Sequence, residues 1–243
     1  LHFLLIFIFS LSIFIISPYS LNAASTTKRL AGAGRYETAV EISKHGWPNG
    51  ADYVVLARGD LFADALAGAP FASSKDAPIL LTYRDKLQKG TKEEIKRLKP
   101  KKIYILGGPE AITKNVENEI KRTLNIKDIE RIYGNTRYDT AEKIARKLGM
   151  NQKKIILATG EDFPDALSIA PFAGQHQIPI LLVQGNKLPY AAKKYLKEAK
   201  GVQTVYVIGG EKAISPNVIK SIPNTVRMSG NTRYDTSLAI LSK

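Results

Sequence analysis

The chain has 243 residues, 44% of them hydrophobic and 24% charged, enough to build one large or two modest globular domains around a buried core. Its 36 Lys and Arg against 22 Asp and Glu leave a net charge of +14, which favours polyanions as partners without choosing among nucleic acid, anionic lipid and wall polymer. Cysteine is absent, which excludes disulfides, thiolate nucleophiles and cysteine metal sites.

From Leu1 to Thr27 there is no Lys, Arg, Asp or Glu, and Phe3 to Ile16 is apolar apart from Ser10 and Ser12. Small residues follow around Ala23 and Ala24. The stretch reads as a secretory signal peptide over 1–23, although the usual basic n-region is missing and the chain begins with Leu. A membrane anchor is the alternative reading, but the apolar run is shorter than the roughly 20 residues a spanning helix needs.

Beyond Lys28, apolar runs alternate with helix-like segments. Strands are predicted over Tyr53–Ala57, Ile79–Leu81 and Ile103–Leu106, the last ending in Gly107-Gly108. Helices are predicted over Leu61–Ser74, bent or shortened by Pro70, and over Thr91–Leu98 and Thr113–Leu124. The same order then returns. Ile155–Ala158, Ile180–Val183 and Thr204–Ile208 are strands, and Phe163–Ala173 and Pro189–Lys200 are helices. Strands and helices in alternation imply a parallel sheet covered by helices on its faces.

Gly134-Asn135-Thr136-Arg137-Tyr138-Asp139-Thr140-Ala141 recurs as Gly230-Asn231-Thr232-Arg233-Tyr234-Asp235-Thr236-Ser237, and more loosely from Gly32 to Ala39. The period of about one hundred residues exceeds that of solenoid repeats and fits a duplicated globular unit. The expected division is a first repeat over 29–129, a second over 130–225, and the opening of a truncated third over 226–243.

Three recurring blocks contain the candidate functional residues. In the first, Thr136 with Asp139 and Thr232 with Asp235 fit a helix capping box, whereas Gly34 stands at the cap position of the first copy. Capping leaves Arg35, Arg137 and Arg233, and Tyr36, Tyr138 and Tyr234, unexplained. An arginine fork suits phosphate or carboxylate and a tyrosine suits a sugar face; both equally suit a contact between repeats. The second block follows a strand and opens a helix: Arg58, Asp60 and Asp64, matched by Glu161 and Asp165. Asp60 with Asp64, and Glu161 with Asp165, are a possible acid–base pair. They can also serve as first-turn acids that cap a helix and complement its dipole, or as partners for a neighbouring unit's arginine. The third block, Gly107-Gly108 and Gly209-Gly210, allows either a close backbone approach to an anion or a tight turn. His45 and His176 do not match between copies and no Gly-x-Ser-x-Gly is present, so neither a cofactor nor a metal is predicted.

These blocks resemble the type 2 cell-wall-binding repeat family of Gram-positive bacteria. The resemblance is carried by residues 134–141, by Gly160 to Leu167, by Pro179 to Leu182 and by Val205 to Gly210, and covers roughly 29–243. It implies exported proteins with three tandem repeats, each a small three-layer α/β unit of Toprim-like type, packed around a pseudo-threefold axis. It also implies non-covalent attachment to anionic secondary wall polymers, often with a fused effector such as an N-acetylmuramoyl-L-alanine amidase. The expectation is therefore a secreted, non-catalytic wall anchor whose partner is an anionic wall polymer. It would have no nucleic-acid role and no membrane span once the leader is removed. The alternatives are a glycan or wall hydrolase using the carboxylate pairs, or the binding portion of an amidase.

Overall fold

The computed structural model describes residues 27–242, so the leader expected over 1–23 lies outside the described residues. The first unit runs α1 (Arg35–Gly46), β1 (Tyr53–Arg58), α2 (Phe62–Ser74), β2 (Ile79–Thr82), α3 (Lys89–Leu98), β3 (Lys102–Leu106), α4 (Lys114–Leu124) and β4 (Ile129–Ile132). The second repeats it with α5 (Arg137–Lys147), β5 (Lys154–Thr159), α6 (Pro164–His176), β6 (Ile180–Val183), α7 (Tyr190–Glu198), β7 (Thr204–Ile208), α8 (Pro216–Ile219) and β8 (Thr225–Met228). Helix α9 (Arg233–Leu241) follows.

Each unit holds one four-stranded sheet, ordered β2-β1-β3-β4 and β6-β5-β7-β8, with every neighbouring pair parallel. This is the tandem α/β architecture that the alternation of elements implied. The strands read as unbroken apolar runs because both faces of a parallel sheet are covered. Successive residues still separate by face. Val54 and Leu56 of β1, and Ile103 and Ile105 of β3, pack with Ile95 of α3 and Val116 and Ile120 of α4. Val55 and Tyr104 point the other way, onto Ala67 and Phe71 of α2. In the second sheet Ile155, Leu157, Val205 and Val207 face Ala192 and Tyr195 of α7. Ile156 and Ile208 face Ile169 and Ala173 of α6. The α2 side of one sheet and the α6 side of the other belong to a single buried cluster, so the two units share one core face and keep one each.

Three observations differ from the sequence reading. Helix α2 runs unbroken to Ser74 with the buried Pro70 inside it, and α6 does the same around Pro171. A proline removes one intrahelical bond, and the burial of these Ala-rich helices outweighs that loss. Strands β4 and β8 were not predicted, because Ile-Glu-Arg-Ile puts two charges and Thr-Val-Arg-Met one inside a four-residue run. They are edge strands that pair with β3 and β7 at the two junctions between repeats. Finally, Glu94, to which the sequence reading assigned no role within the helix over Thr91–Leu98, is 2% exposed. It accepts from Ser43 Oγ at 2.6 Å and from Arg97 Nε at 2.8 Å, tying α3 to α1.

Candidate clefts at the repeat junctions

The repeated blocks meet at the carboxyl ends of the strands, where open α/β sheets place their ligands. The first cleft, of about 440 Å³, is bounded by Asp64 at the start of α2, by Gly107 to Ala111 after β3, and by Tyr133 to Arg137 leading into α5. Its wall therefore comes from two successive repeats. The second cleft, of about 720 Å³, has the same construction from Asp165, Gly210 to Ala213 and Gly230 to Arg233.

Local chemistry explains how the chain reaches this geometry. Thr136 accepts from the backbone N–H of Asp139 while Asp139 accepts from the N–H of Thr136, a complete capping box that Thr232 and Asp235 repeat at α9. Gly34 opens α1 without a side-chain cap bond. The last threonine of each block closes the loop before the helix: Thr38, Thr140 and Thr236 accept from the N–H of Gly32, Gly134 and Gly230 at 3.0 to 3.1 Å. Gly107 and Gly209 adopt φ of +99° and +102°, and a Cβ at either would lie within 2.6 Å of the Asp64 or Asp165 carboxylate. A turn of that hand beside a carboxylate requires glycine. Two arginines that the sequence reading missed hold this turn. Arg131 Nη1 donates to the carbonyls of Gly107 and Ile112, and Arg227 donates to those of Gly209 and Ile214. Their recurrence three residues before Gly134 and Gly230 was the available signal.

The nominated residues fall into distinct places. Arg35 and Arg137 each donate through Nη1 to a carbonyl of their own unit, Gly59 at 2.9 Å and Gly160 at 2.5 Å. Neither they nor Arg233 form an ion pair among the described residues. Arg137 lines the first cleft and Arg233 the second. The ring of Tyr36 rests on Gly59 and against Tyr83, 4.6 Å between centroids, and Tyr138 rests on Gly160. Burial raises the pKa of both phenols, assisted by the charge of Asp60 for Tyr36 and of Glu161 for Tyr138. Tyr234 is 76% exposed.

The carboxylates separate likewise. Asp60 is held in a two-pronged bond by Arg58, at 2.5 and 2.6 Å, and that bond lowers its pKa. Glu161 accepts from the N–H of Gly185 at 3.1 Å. Asp64 and Asp165 sit in the first turns of α2 and α6, but neither helix has a side-chain cap bond. Burial raises the pKa of both; the charge of Asp162 adds to the effect at Asp165, while Arg137 and Arg233 oppose it at Asp64 and Asp165 respectively. Among the described residues no group of three or more His, Asp and Glu is placed to hold a metal, and no helix is long and apolar enough to cross a membrane.

A tandem α/β repeat with a basic balance and a cleft at each junction defines a modular binding protein rather than a single-pocket one. The particular family follows from comparison: residues 29–117 and 131–219 each match cell wall binding domain 2 (CWB2), and the chain belongs to that family. It is a cell-wall-binding module of the kind found on Gram-positive surfaces. Among curated relatives it is 38% identical over 221 residues to the N-acetylmuramoyl-L-alanine amidase LytC of Bacillus subtilis, covering 91% of this chain and 44% of the relative. It is 39% identical over 223 residues to the amidase enhancer of the same organism, covering 90% and 30%. Among solved structures, Cwp6 from Clostridium difficile superposes with a TM-score of 0.83 at 36% identity, over 89% of this chain and 35% of that one. Cwp8 from the same organism gives 0.79 at 34%, over 88% and 37%. The chain thus spans less than half the length of each of these relatives.

Proposed function

We propose that this chain is exported and anchors non-covalently to an anionic polymer of the cell wall, through the junction clefts, and that it carries no catalytic step of its own. The observation that carries this reading is the repeated arginine. Arg137 and Arg233 occupy corresponding positions in the two junction clefts with no carboxylate ion pair among the described residues, in a chain of net charge +14. A guanidinium with free donors is suited to phosphate or carboxylate, and recurrence along the chain suits a polymer that repeats. Arg35 presents the same group at the open end of the first unit. The acid–base alternative is weakened because Asp60 is committed to Arg58 and Glu161 to Gly185. The amidase named among the relatives is matched over 44% of its length, so an attached catalytic domain would lie in the remainder.

The same reading makes α9 the first helix of a third unit, supplied by more of the chain or by another copy. In α5 the fold buries Ala145 to 1% exposure, whereas Leu238 and Leu241 of α9 are 65% and 79% exposed. An apolar groove between α1 and α2, lined by Ile42, Trp47, Ala69, Ala72 and Pro78, would receive the third unit's counterpart of α2 and α6.

The test is retention of the chain on purified cell walls, before and after acid stripping of their anionic polymers, across a salt series. Binding should be lost on stripping and weaken as the screening length contracts from about 10 Å at 0.1 M salt to about 3 Å at 1 M. Arg137→Ala should weaken retention about tenfold, the worth of a charged hydrogen bond, while Arg137→Lys keeps part of it. Retention that survives both stripping and salt would reject a polyanion anchor.

A further inference from the structure

Sequence patterning nominated Tyr36, Tyr138 and Tyr234 as sugar platforms, yet the first two rest on Gly59 and Gly160, outside both clefts. The aromatic ring that does line a cleft is Tyr133. It is 41% exposed, and its edge is seated on Gly108, where a Cβ would stand 2.9 Å from Tyr133 Cδ2. The Lys143 ammonium lies over the ring, 5.7 Å from its centroid, without itself lining the cleft. Asp64, Asn135 and Arg137 complete the surround with an acceptor, an amide and an unpaired cation. An aromatic face bordered by a few converging polar groups is the usual form of a carbohydrate subsite.

The second cleft keeps the counterparts Asp165, Asn231 and Arg233 but lacks the aromatic ring and its lysine. Ser229 stands where the first repeat junction has Tyr133, and Ala239 where it has Lys143. Nothing lies within 4 Å of a Cβ built on Gly210, the counterpart of Gly108. Asp162 replaces Leu61 and Glu211 replaces Pro109 in its wall. Its lining acids are Glu161, Asp162, Asp165 and Glu211 against Lys212 and Arg233, where the first cleft sets Asp64 and Glu110 against Arg137. The first cleft thus carries the smaller acidic excess, one against two, and opposes an anion less.

We infer that the two junction clefts are not equivalent, and that the first is a subsite for a single pyranose ring bearing a negative charge, stacked on Tyr133 with its phosphate or carboxylate toward Lys143 and Arg137. This deepens the anchor reading and rests on it. Tyr83, Tyr190 and Tyr234 are also exposed but line neither cleft, so they do not offer the same combination.

The experiment measures binding of the full chain to purified anionic wall polymer, for the unaltered protein and for Tyr133→Ala, Tyr133→Phe, Arg137→Ala and Ser229→Ala, each checked for an unchanged melting temperature. Glucosamine 6-phosphate, glucuronate and glucose serve as competitors. Tyr133→Ala is expected to weaken binding about five- to tenfold, the contribution of an aromatic face; Tyr133→Phe, which keeps the ring, restores most of that loss, and Ser229→Ala binds as the unaltered chain does. Competition by glucosamine 6-phosphate assigns the charge to phosphate, by glucuronate to carboxylate. Glucose competing as well as either removes the charge requirement and overturns that part. If Tyr133→Ala binds normally while Arg137→Ala does not, the subsite is wrong and the anchor stands. Equal losses in Tyr133→Ala and Ser229→Ala would show the clefts to be equivalent. An unaltered chain that ignores the polymer would bring down the anchor reading and the subsite together.

Discussion

Asp64 and Asp165 carry the clearest electrostatic consequence of the clefts. Burial pushes both carboxyls above their ordinary range, with Arg137 and Arg233 pulling in the opposite direction. A carboxyl whose folded pKa exceeds its unfolded one binds its proton more tightly in the fold. Its ionisation then opposes folding, so stability falls as pH rises from the ordinary carboxylate range through the folded value. Asp64→Asn is therefore expected to raise the melting temperature at pH 7 and leave it unchanged below about pH 3, where both forms are neutral. A lower melting temperature at pH 7 would show instead that the carboxylate gains more from Arg137 than burial costs it. Arg137 itself was legible as a residue that capping leaves unexplained. That its Nη1 is anchored on Gly160 while its charge stays unpaired is decided by the tertiary fold, since the carbonyl and the arginine are 23 residues apart.

Helix starts are the most local features of the chain, and they were the most legible. A capping box needs four consecutive residues, so Thr136-Arg137-Tyr138-Asp139 specifies the first turn of α5 wherever it is placed. Thr136→Ala should cost about 1 kcal/mol in chemical denaturation, with the slope unchanged. The Gly107 turn is a stronger constraint, because its φ of +99° is compounded by the Asp64 carboxylate and the Ala111 methyl. Gly107→Ala should cost about 2 kcal/mol or more, and a smaller loss would mean that the turn can relax. Strands β4 and β8 were missed for the opposite reason. Each has four residues, one of them an arginine spent on the Gly-Gly turn, and becomes a strand by pairing with β3 or β7.

The two units fold against each other rather than beside each other, since one apolar cluster contains Val55, Phe71, Ile156 and Ile169 together. A single cooperative thermal transition is expected for that reason. The seam lies between α2 and α6, where Gly174 approaches Ser73: a Cβ on Gly174 would stand 3.6 Å from that of Ser73. A methyl fits there and a ring does not. Gly174→Ala should be neutral or stabilising by about 0.5 kcal/mol, because alanine loses less backbone freedom on folding. Gly174→Phe should cost about 1–3 kcal/mol through overpacking. It should also split the calorimetric transition in two, and one unsplit transition in that variant would mean that the units are coupled elsewhere.

The duplication, the alternation of strand and helix, the capped helix starts and the excess of cationic charge were all present in the linear order of residues, because each depends on neighbours within a turn or a strand. The face that each unit shares with the next depends on which side of a sheet a helix crosses over, and short-range pattern carries no record of that. The clefts belong to this second kind. Their walls join Asp64 to Arg137 and Asp165 to Arg233, residues brought together only when α5 and α9 begin over the strand ends of the preceding unit. For the same reason Tyr36 and Tyr138, conspicuous in the repeat, became packing on a glycine, and Tyr133, which no repeat would single out, became the ring that faces the cleft.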